Sequence, residues 1–139
     1  MLKYDEQILV LRGLFKLFMA NFEISDYVIM NKIALICKKI IDSLLVDKKL
    51  ITLPADVCFD YYDVILDIVC FVYEENYMYE DAVEILKILT FSNEVDKKNK
   101  IRALEELLST NIEIEVLIKE DRMIYQNMLS DLQNKKTNI

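Results

Sequence analysis

DYYDVILDIVCFVYEENYMYEDAVEIL, residues 60–86, is the stretch that decides the architecture of this chain. Its apolar residues return every three or four positions, as at Tyr62, Ile65, Val69 and Val72, which is the period of a helix. It holds neither glycine nor proline, so the usual chemistry of tight hairpin turns is missing. Eight carboxylates and five tyrosines run through it without a single lysine or arginine. It therefore reads as helix, buried on most of its circumference and charged on the remainder. Tyr77 marks a joint, with one helix over about 56–76 and the next over about 79–92.

The rest of the chain extends the pattern. All 139 residues contain one glycine, Gly13, and one proline, Pro54, far too few for a sheet protein of this size. The predicted fold class is all-α: one helical domain over residues 1–139, with 134–139 a frayed tail. Further helices are expected over about 4–22, 26–46 and 95–108, and a long last helix carries Ile114, Leu117, Tyr125, Met128 and Leu132. Ser25 or Asp26 can cap the second helix, and Ser109, Thr110 or Asn111 the last. Pro54 suits the start of the third. Six helices with short joints predict three antiparallel hairpins, in a bundle or a short stack.

What is missing narrows the chemistry. The chain has no histidine, which removes Ser-His-Asp and Cys-His schemes, His-bearing zinc sites and the Glu-x-x-His ligands of di-iron bundles. One glycine cannot build a phosphate-cradling loop. Cys37, Cys58 and Cys70 include no C-x-x-C pair and read as reduced core thiols of a cytoplasmic protein. The chain opens without the features of a secretory signal, and no apolar run approaches the roughly twenty residues a bilayer needs. No catalytic residue, metal or cofactor is predicted, and no membrane partner.

Two local resemblances are present. Leu66, Val69, Cys70, Tyr73, Ala82 and Leu86 fall on the large and small positions of a tetratricopeptide-type hairpin, which implies similar packing for the third and fourth helices. EDAVE (Glu80, Asp81, Glu84) resembles the first acidic cluster of MazG-like nucleotide pyrophosphohydrolases, and implies magnesium-dependent phosphate chemistry. The E-x-x-D that completes that family's pattern does not follow. First-turn acids at a helix amino end account for Glu80 and Asp81 without any catalysis.

The charge is the most informative feature. The net formal charge is −7, from 24 acids and 17 bases. Nine acids and no base lie between Leu50 and Leu86, so the whole negative excess sits in the third and fourth helices. At 100° per residue Asp56, Asp60, Asp63, Asp67 and Glu74 share an arc of about 60°, interrupted by Phe71, with the core expected on the other side. Like charges one turn apart repel, so the stripe does nothing for an isolated helix. A solvated face neutralised by lysines of a neighbouring helix is one reading. The other is a docking ridge for another protein with a basic surface, through Asp56, Asp60, Asp63, Asp67, Phe71, Glu74 and Tyr77. Nucleic acid has the wrong sign to bind there.

The leading expectation is a non-enzymatic interaction protein: an inhibitor, immunity protein or adaptor, compatible with a viral or phage origin, that can mimic nucleic acid. The alternatives are a Bcl-2-like bundle gripping an amphipathic helix, although the signature Asn-Trp-Gly-Arg is absent, and the MazG-like enzyme. Homodimerisation through the long last helix is a further option.

Overall fold

The computed structural model describes residues 4–46, 55–109 and 111–134, with side chains described over 6–45, 61–109 and 111–134. Every regular element among them is helical. In chain order these are α1 (Tyr4–Glu23), α2 (Tyr27–Ile41), α3 (Ala55–Asp67), α4 (Tyr79–Phe91), α5 (Lys97–Leu107), α6 (Ile112–Leu117) and α7 (Arg122–Asn134). Helix α2 runs on into a wider π turn, Asp42–Val46, and α3 into another, Ile68–Tyr73. Pro54 and Thr110, and the side chains of Asp56, Cys58 and Asp60, lie outside the described residues.

Helix α3 with its π turn is the centre of the molecule, packed on by α1, α2, α4 and α5. Tyr61, Tyr62, Ile65, Leu66, Ile68, Val69, Val72 and Tyr73 are all buried, and around them gather Leu11 and Phe18 of α1, Cys37 and Ile41 of α2, and Leu86 and Leu89 of α4. This is why the stretch is so apolar: four neighbours cover it, and the side predicted to face the core does so. Helices α1 and α2 form one hairpin, and α3 and α4 a second. Helix α5 folds back on α4 and also meets α3 and α7, while α6 lies against α4.

The last helix is two helices. A turn at Ile118–Asp121 separates α6 from α7, closed by the Asp121 N–H donating to the Ile118 carbonyl at 2.9 Å. Lys119, Glu120 and Asp121 have nothing apolar to bury, so the core holds the chain on either side instead. Ile114 and Ile118 are buried beneath α6, and Tyr125 is buried in α7 against Phe91, with ring centroids 6.1 Å apart. Leu117, which shares the apolar period of Ile114 and Tyr125, is 39% exposed.

Helix ends follow side-chain chemistry. Asp26, Asp96 and Asn111 cap α2, α5 and α6 by accepting from the N–H groups of Ile29, Asn99 and Ile114, at 3.2, 3.4 and 3.2 Å. Asp26→Ala is expected to lower stability by about 1 kcal/mol in urea unfolding, because the Ile29 N–H then loses its side-chain acceptor at the start of α2. An unchanged midpoint would show the cap to be idle.

Two helices end in Schellman turns. After α1, Asp26 N–H donates to the Asn21 carbonyl and Ser25 N–H to that of Phe22; after the α3 π turn, Met78 N–H donates to Tyr73 and Tyr77 N–H to Glu74. Such turns need a left-handed residue, usually glycine. Here that residue is Ser25 at one turn and Tyr77 at the other, each with φ 59°. The chain's one glycine is at neither, but in the middle of α1.

Candidate functional site

The described part of the acidic stripe, Asp63, Asp67 and Glu74, faces α5. Asp67 Oδ1 accepts from Arg102 Nη2 at 2.5 Å, an ion pair spanning 35 positions of sequence. Asp63 is half-buried near the same guanidinium. One turn on, Cys70 and Glu74 converge on Glu106 of α5, their ligand atoms within 4.8 Å of one another. Burial, the hydrogen bond to Glu106 and the charge of Glu106, in that order, push the Glu74 carboxyl up to about 9 from an ordinary 4.5. Glu74 thus holds its proton at neutral pH and donates it to Glu106. Burial and the Glu106 charge likewise raise the Cys70 thiol far above its ordinary range, so it is no thiolate nucleophile.

The ridge expected to stand outward is therefore partly answered within the chain. Arg102 neutralises Asp67, and a proton neutralises Glu74. Among the described residues, Cys70, Glu74 and Glu106 are also the one trio of donors close enough to hold a metal ion. One sulfur and two carboxylates suit a borderline divalent cation, provided that Glu74 and Cys70 first lose their protons. Glu80 and Glu84 are exposed, and Asp81 lies 3.5 Å from Lys38, which also grips Asp42 at 2.5 Å. Glu80, Asp81 and Glu84 do not converge on a common point.

Phe71 and Tyr77 keep their outward positions. Phe71 is 51% exposed, tilted against Phe15 at 6.0 Å, and floors a narrow cleft with Phe18, Phe22 and Glu75. Tyr77 is the more prominent, at 82% exposed. Its left-handed backbone ends one helix and turns the next, and its ring meets that of Tyr79 edge-on at 6.3 Å. On one side of it opens a cleft of about 400 Å³ between α4 and α6, lined by Tyr79, Glu80, Asp81, Glu113, Val116 and Leu117. On the other lies a cleft of about 380 Å³ lined by Tyr27, Asn31, Glu75 and Asn76.

No lysine or arginine among the described residues pairs with Glu75, Glu80 or Glu113. Uncompensated charge thus collects around Tyr77, at the end of the stripe. Sequence reasoning missed Glu113, Val116 and Leu117 because α6 reaches this place only through tertiary packing. It also missed Glu106. Cys70, on the border of the stripe, was the one local sign of a contact there. Compared with known proteins, the chain matches no family model, no curated protein and no solved structure.

Proposed function

We propose that this protein is a non-enzymatic interaction module whose acidic, tyrosine-centred surface receives a basic segment of another protein. The observation that carries the reading is Tyr77, exposed and held at a positive φ between two open clefts. A tyrosine in the left-handed region costs about 1 kcal/mol relative to glycine, and such strain concentrates where a side chain must be presented. Tyrosine supplies a large rigid contact with a polar tip, the type of anchor that dominates protein interfaces. Glu75, Glu80 and Glu113 ring it with charge that no base among the described residues answers, which favours fast, salt-sensitive association with a cationic partner. Val116, 67% exposed, adds an apolar floor for the stem of a lysine or arginine.

The test is capture of the partner from the native host between about 0.05 and 0.5 M salt. Binding is expected to weaken steeply across that range, and to be lost in a Glu75→Lys, Glu80→Lys, Glu113→Lys variant that retains its helical circular dichroism. Tyr77→Gly separates stability from function: it is expected to raise unfolding stability by about 1 kcal/mol while reducing binding at least tenfold. Salt-independent capture, or full binding by the glycine variant, would show that the partner docks elsewhere.

A further inference from the structure

Helix α1 has two apolar faces, and the fold covers one. Ile8, Leu11 and Phe18 are buried in the core. On the opposite side Leu9, Val10 and Leu17, with Ile24 in the turn just past the helix, remain 63%, 37%, 50% and 72% exposed. Gly13 and Ala20 lie exposed between them. At 100° per residue these six span an arc of about 100° that carries no charge from Leu9 to Ile24. Contiguous exposed apolar surface of this kind marks an interaction face.

Gly13 is the second observation. In mid-helix a glycine costs about 0.5–1 kcal/mol relative to alanine. Its φ is not positive, and a Cβ built on it would meet nothing within 4 Å. Nothing inside the chain requires a glycine here, while two turns that would welcome one use Ser25 and Tyr77 instead.

The pattern Val10–Gly13–Leu17–Ala20–Ile24 reads almost the same in both directions, large and small alternating about Leu17. We infer that α1 pairs with α1 of a second copy of this chain, antiparallel, across a two-fold axis at Leu17. Val10 of each copy then lies beside Ile24 of the other, and Leu17 meets its own counterpart. Gly13 and Ala20 bracket that contact and let the two backbones approach closely. Arg12 and Glu23 share the row bordering the stripe, and neither is ion-paired among the described residues.

In the antiparallel arrangement Arg12 of one copy comes opposite Glu23 of the other, twice. A parallel pair would carry this row on opposite flanks of the seam in the two copies, where neither charge meets its opposite, so only the antiparallel arrangement forms the two ion pairs. Lys16, in the same row, lies beside Met19 of the other copy, along which its methylene stem can rest. The palindrome and the symmetric placing of Arg12 and Glu23 are what a self-pairing requires and an unrelated partner does not.

Sedimentation equilibrium of the full chain between about 1 and 100 µM tests this, since a modest interface of this class dissociates in the micromolar range. Wild type is expected to dimerise. Leu17→Glu, at an exposed position, is expected to keep the helical spectrum and raise Kd at least about a hundredfold. Arg12→Glu alone is expected to weaken the dimer about tenfold, and Arg12→Glu with Glu23→Arg to restore it to within about threefold of wild type. A chain that stays monomeric would overturn the inference, whatever other protein or phosphatidylcholine vesicle binds the stripe. So would a dimer indifferent to Leu17→Glu, or a charge exchange that fails to rescue.

Discussion

Glu74→Gln is expected to stabilise the protein at pH 7 by about 1–2 kcal/mol and to flatten its stability against pH. The carboxyl keeps its proton in the fold up to about 9, against an ordinary 4.5, chiefly because it is buried against Glu106. Between those values the folded state binds more protons than the unfolded one, so stability falls as pH rises through the interval. The contribution is fully present below about 4.5 and gone above about 9. The whole shift would correspond to several kcal/mol, but the side chain is half-buried and solvent screens part of it. Glutamine can donate the same hydrogen bond to Glu106 with no proton to hold, which removes both the cost at neutral pH and the slope. Urea midpoints at pH 5, 7 and 9 would check it. A variant less stable than wild type at pH 7 would mean that Glu74 is ionised there and held by something other than Glu106.

Leu66→Ala is expected to cost about 3 kcal/mol, lowering the melting temperature by roughly 10 °C in a chain of this size. Leu66 has no exposed surface, and it sits in the central helix on which α1, α2, α4 and α5 all pack. Removing its branched end loses the transfer energy of three heavy atoms and leaves a cavity that rigid helices on several sides cannot close. Leu117→Ala is the matched control. That side chain is 39% exposed, so the same change should cost less than about 1 kcal/mol. Near-equal losses at the two positions would contradict the packing described for α3 and α6.

That contrast shows where reading the sequence ran out. The scarcity of glycine and proline, with the three-to-four spacing of Tyr62, Ile65, Val69 and Val72, was enough to define the class of fold and the buried side of α3. Local capping chemistry narrowed two helix starts to Ser25 or Asp26 and to Ser109, Thr110 or Asn111, and Asp26 and Asn111 are the residues that cap them. The meeting of Asp67 with Arg102 was not legible, since it depends on α5 folding back across α3. The acids on that face were visible as a stripe, but not the guanidinium and the proton that answer two of them. Leu117 fits a continuous helical period with Ile114 and Tyr125. The turn at Ile118–Asp121, set between the buried Ile118 and Tyr125, interrupts that period, and Leu117 is left at the surface. The left-handed residues at Ser25 and Tyr77 were hidden because no glycine announces them.

The two wide turns at Asp42–Val46 and Ile68–Tyr73 each make room for one more residue than a regular helix would carry over the same length. Everything beyond such a turn is offset by one place relative to an uninterrupted helix with the same buried side. A homologue that had shed the additional residue would keep its core and surface chemistry, yet line up with this chain only through a one-position gap in mid-helix, where insertions are least anticipated.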